Sequence, residues 1–183
     1  LGQLRVLRVS LKELRALPSS IRHLTSLEEI YLRTPALDLD DALPKLGALP
    51  SLRVVELGGL GLVRLPEAVG ALTRVERLML GSNRLLSLPP EIGRLAALRE
   101  LLLDSNWLES LPPEVGRLGE LRSLNLSFNQ IHALPAEFGD LRSLVDLEAW
   151  SSDDLATWTY EGVIWSPTSG SWNDHPSIWA PHV

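Results

Sequence analysis

Leu98 to Glu120 read LRELLLDSNWLESLPPEVGRLGE, and the flanking segments repeat the pattern: VERLMLGSNRLLSLPPEIGRLAA from Val75 and LRSLNLSFNQIHALPAEFGDLRS from Leu121. Working outward, units begin at Leu4, Leu27, Leu52, Val75, Leu98 and Leu121, with a degenerate one at Leu144. The spacings are 23, 25, 23, 23, 23 and 23 residues. A fixed period of this length marks an architecture of stacked repeats. The first, fourth and sixth positions are apolar, as in Leu98, Leu101 and Leu103. The last two alternate as a short strand with one buried face does. One such strand cannot bury its face alone. Stacked units would pair strand to strand in parallel around one continuous core. Seven strands at ~4.8 Å spacing predict a sheet roughly 30 Å long.

The second half of each unit predicts the other layer. Pro89-Pro90-Glu91 and Pro112-Pro113-Glu114 precede Ile92 and Val115. Proline suits the first helical turn, and an acid there suits the helix dipole. Gly93 and Gly116 follow closely and should keep these helices short or irregular. Ile21, Val69, Ile92, Val115 and Phe138 share one position and should fill the core from this side. Each is worth roughly 1.5–3 kcal/mol when buried.

Asn83, Asn106 and Asn129 hold the ninth position of three successive units, where the chain must turn. A side-chain amide donates and accepts at once, so a stacked row can bond the loops above and below it. These asparagines read as a structural ladder rather than a site. Lys12, Pro35 and Leu60 take this position in the first three units. The ladder should therefore be broken there and the turns should differ.

The pattern resembles the leucine-rich-repeat (LRR) family in its 23-residue form, with a Leu-Pro step after the asparagine loop. That form occurs in cytoplasmic scaffold proteins, plant intracellular Ras-group repeat proteins and bacterial repeat proteins. The resemblance covers residues 1–149. It implies an α/β solenoid with a curved parallel sheet on the concave side and short or irregular helices on the convex side. It also implies a binding role, with the concave sheet as the usual binding face.

The totals agree with that class. The chain has 183 residues, 45% of them hydrophobic, yet no run approaches the ~18 apolar residues of a membrane span. A net charge of −6 argues against a nucleic-acid partner. There is no cysteine, hence no disulfide framework and no thiolate zinc site. A soluble, monomeric, cytoplasmic protein is expected rather than a secreted one. Leu1-Gly2-Gln3 reads like the last residues of a unit, comparable to Leu118-Gly119-Glu120, so the chain is expected to be a fragment of a longer array.

No catalytic set can be drawn. His23, His132, His175 and His182 are scattered, and no Ser-His-Asp order or HExxH pair exists. Gly58-Gly59-Leu60-Gly61 lacks the Lys-Ser/Thr ending of a phosphate loop and reads as a degenerate turn. Asp38, Asp40 and Asp41 lie in the longer second unit, but without the order of a calcium loop. They predict an irregular solvated loop. No enzyme activity, metal or cofactor is expected.

Function should then sit on exposed strand positions. The second position alternates in sign along Arg5, Glu28, Arg53, Glu76 and Arg99, then repeats it at Arg122. Opposite charges on adjacent strands stabilise by ~0.2–1 kcal/mol per pair, so this row reads as a structural edge. The fifth, seventh and eighth positions remain. They offer Tyr31, Arg33, Glu56, Met79, Leu102, Asp104, Asn125 and Phe128 as a partner-binding face. Aromatic and Met residues among scattered charges suit a protein partner, although exposed apolar residues are common on any surface. The expected function is protein–protein interaction. The alternatives are the substrate-recognition part of a larger signalling enzyme or bacterial effector (a kinase, GTPase or ubiquitin ligase) and a purely structural array.

Beyond Ala149 the repeat stops. Residues 150–183 hold five of the six tryptophans, and Trp158, Trp165, Trp172 and Trp179 recur every seven residues. Pro167, Pro176 and Pro181 argue against a heptad helix. This stretch reads as a C-terminal cap, a linker or a recognition element anchored by tryptophan.

Overall fold

Parallel pairing follows the repeat without a crossover. Strands β1 (Val6–Val9), β2 (Glu29–Leu32), β3 (Val54–Glu56), β4 (Arg77–Met79), β5 (Glu100–Leu102), β6 (Ser123–Asn125) and β7 (Asp146–Glu148) form one parallel sheet in chain order. The computed structural model describes residues 3–149. The Trp-rich segment read above as a cap or tail lies outside them. Register keeps equivalent positions side by side: Leu7, Ile30, Val55, Leu78, Leu101, Leu124 and Leu147 stand in one row. Each position of the unit thus becomes a row along the sheet.

The fourth and sixth rows make the inner wall of the core. Ile30, Leu32, Val55, Leu57, Leu78, Leu80, Leu101 and Leu103 are completely buried. At the ends, Leu7, Val9 and Leu147 are only partly buried. The opposite wall holds Ile21, Val69, Ile92, Val115 and Phe138, all buried.

The convex elements are mostly single 3₁₀ turns: Ser19–His23, Glu67–Ala71, Pro90–Arg94, Pro113–Arg117 and Ala136–Asp140. Each is preceded by a proline in extended conformation. In one of them Val115 N–H donates to the Pro112 carbonyl and Leu118 N–H to the Val115 carbonyl, both at 3.0 Å. This is the three-residue step of a 3₁₀ helix, which seldom extends further.

The glycines have a packing reason beyond shortening these turns. A Cβ on Gly93 would come 2.5 Å from the Glu114 carbonyl oxygen, and one on Gly116 2.2 Å from that of Glu137. Gly47 meets the Ala71 carbonyl in the same way at 2.3 Å. These glycines let successive convex turns stack backbone against backbone.

The second unit departs from the expectation of an irregular acidic loop. Its two extra residues allow an α-helix, α1 (Leu39–Gly47). Asp38 is its N-cap, accepting from the amides of Asp40 at 3.0 Å and Asp41 at 3.4 Å. Asp41 pairs with Lys45 at 2.7 Å, and Asp40 with Arg64 at 3.3 Å. Lys45 also donates to the Leu17 carbonyl, tying the helix to the preceding unit. The acids are a helix start with its charge complement. No group of three or more metal-ligating side chains occurs among the described residues.

Candidate functional site

The rim of the concave sheet is fixed by the asparagine row. Asn106 Nδ2 donates to the carbonyls of Leu80 and Leu103, while its Oδ1 accepts from Leu85 N–H at 3.0 Å. Asn129 does the same one unit on, with Leu103, Leu126 and Leu108. Asn83 reaches back into the unit without an asparagine. It accepts from Leu60 and Leu62 N–H, and the turn there runs through Gly59 and Gly61 at φ +68° and +72°. Just before each asparagine the chain takes a left-handed residue: Ser82 and Ser105 at φ 56° and Phe128 at 57°. Phe128 is also 66% exposed. Left-handed backbone costs an L-residue roughly 1–2 kcal/mol, and burial does not offset it here.

The second-position row carries ion pairs. Arg5 meets Glu28 at 2.6 Å, and Glu76 lies between Arg53 at 3.4 Å and Arg99 at 3.3 Å. Sequence reasoning overlooked the third row, which also faces outward. There Arg77 pairs with Glu100, and Ser123 Oγ donates to Asp146 at 3.2 Å. The alternation around the buried fourth position was the signal that could have exposed it.

The eight candidate residues do not form one uniform patch. Arg33, Glu56, Met79, Leu102 and Asp104 come together around a hollow of about 430 Å³, floored by Gly58, Gly59, Gly81 and Ser82. Tyr31 stands beside it, half-buried. Its hydroxyl donates to Glu29 at 2.8 Å, and the Arg8 guanidinium lies 4.5 Å from its ring centre. The hydrogen bond to Glu29 raises the phenol above its ordinary pKa. Desolvation and the Glu29 charge add to this, and Arg8 partly opposes it. Asn125 is engaged by Glu148 at 2.6 Å and by the Ser127 amide at 2.9 Å. Phe128 projects from the rim of the same unit.

Two neighbours in these rows are not exposed as the strand pattern implied. Thr34 and Ser127 are buried, and neither hydroxyl has a hydrogen-bond partner. The turn folds both side chains inward. Trp107, absent from the candidate set, is 45% exposed, with the Arg84 guanidinium 5.9 Å from its ring centre. It follows the ladder asparagine of its unit, a position that the strand pattern does not flag.

No helix among the described residues is long and apolar enough to cross a membrane. The leucine rich repeat model matches residues 73–131 and 96–149. No curated protein matches the chain. Among solved structures, an LRR protein of Leptospira interrogans is similar, with 29% identity over 80% of this chain and a TM-score of 0.63. The chain spans 43% of that protein's solved chain. This family and fold are a common protein-interaction module, typically without enzymatic activity. The repeat period, the parallel solenoid, the family model over residues 73–149 and the similar structure agree on a leucine-rich repeat protein.

Proposed function

We propose that this chain is a protein-interaction module that holds its partner on the concave sheet, through Tyr31, Arg33, Glu56, Met79, Leu102, Asp104, Asn125 and Phe128. The hollow carries this reading, because five of those side chains line it over a floor of small residues. A concave site with apolar walls and a few convergent polar groups is the ordinary form of a binding site. The repeats serve as its rigid support.

The test is affinity capture from the source cell, with the parent chain beside a Met79→Glu, Leu102→Glu variant whose circular dichroism is unchanged. A protein held by the parent and lost by the variant supports the face. Equal capture by both removes it. Phe128→Gly adds an independent check. It relieves a left-handed residue, so stability should hold or rise by up to ~1–2 kcal/mol, while capture falls. Thermal melting reads the first, and a melting temperature well below the parent's would contradict it.

A further inference from the structure

Resting on the concave face as the partner site, we infer that the hollow is a subsite for one cationic side chain, a lysine or arginine of the partner. Two carboxylates converge over its glycine floor. Asp104 Oδ1 leans over Gly81, 2.6 Å from where a Cβ would stand. Glu56 Oε1 lies 3.7 Å from the corresponding point on Gly58. The two glycines are neighbours: Gly59 N–H donates to the Gly81 carbonyl at 3.0 Å. The carboxylates thus flank glycines that stand one strand spacing, ~5 Å, apart, and both line the same hollow, where one guanidinium or ammonium group can approach them.

The Asp104 carboxylate has no hydrogen-bond or ion-pair partner among the described residues; only its backbone carbonyl is engaged, by the Ser82 amide and Asn106 Nδ2. Glu56 meets only Arg33, at 4.0 Å, and the Arg33 side chain is 74% exposed. The negative charge of the hollow is therefore incompletely matched. Met79, Leu102 and Leu60 complete the wall. Long cationic side chains lay their aliphatic stems on such surface while the head stays polar. The same apolar wall speaks against a hard metal ion, which takes six or more oxygen ligands when it is calcium.

The probe is the peptide acetyl-Gly-Arg-Gly-amide, with citrulline replacing arginine as the neutral isostere. Glycine amides of the floor, Gly58, Gly59 and Gly81, report binding in a ¹⁵N–¹H spectrum. The arginine peptide should shift them saturably, and the citrulline peptide should bind about tenfold weaker or less. Glu56→Gln with Asp104→Asn should abolish the shift while the rest of the spectrum stays in place. Equal shifts from both peptides, no shift from either, or shifts from calcium chloride alone would overturn the inference. Partner capture separates this inference from its foundation. If the neutralised variant keeps the partner that Met79→Glu, Leu102→Glu loses, the face stands and the cation subsite falls.

Discussion

At the scale of single residues, the asparagines do the most for the least volume. Each satisfies buried groups of two successive units that no backbone partner reaches. Removing Asn106 leaves the Leu85 amide buried without its acceptor and takes donors from two carbonyls. One orphaned buried group costs about 1–3 kcal/mol. Asn106→Ala should therefore lower the urea midpoint well beyond Gln130→Ala, whose exposed side chain should matter by less than ~0.5 kcal/mol. Similar midpoints for the two variants would mean that the loops find other partners. The ladder could be read from sequence because its chemistry belongs to one residue type at one spacing. The left-handed state of Phe128 could not, since a large aromatic gives no signal for positive φ.

At the scale of the element, the strands were legible and the convex side only partly so. Alternation at the fourth and sixth positions reports burial directly, and it placed every strand. The acids of the second unit misled because a capped helix start and a solvated acidic loop share a composition. They are told apart by the two carboxylate-accepted amides, which exist only once the helix forms. The hollow was legible as residues but not as a shape. Met79 and Leu102 stood out singly, whereas the convergence of Glu56 and Asp104 depends on glycines two positions further along neighbouring strands. The convex glycines allow a sharp comparison. Gly116→Ala drives a methyl group into the Glu137 backbone, whereas a Cβ on Gly119 meets nothing within 4 Å. Overpacking of this kind costs about 1–3 kcal/mol. Gly119→Ala should be neutral or stabilising by up to ~1 kcal/mol. Thermal melts of both variants test this, and equal shifts would refute the backbone-stacking role of Gly116.

At the scale of the whole molecule, stability is a sum over neighbours. Each unit touches only the one before and the one after, so free energy is distributed along a line. The middle units are covered on both sides: Leu78 and Leu101 are wholly buried, whereas Leu7 and Leu147 are partly open. Opening should therefore begin at the outer strands, with amide protection highest in β3 to β5 and falling toward β1 and β7. Leu101→Ala should cost about 2–5 kcal/mol, and Leu7→Ala clearly less, because less surface is withdrawn from water there. The substitutions should also differ in reach. Leu101→Ala should weaken protection in both adjoining strands, β4 and β6, whereas Leu7→Ala should leave β4 to β6 unchanged. Hydrogen exchange on the two variants decides the matter. Uniform loss of protection from Leu7→Ala would mean that the array unfolds as one unit rather than from its ends.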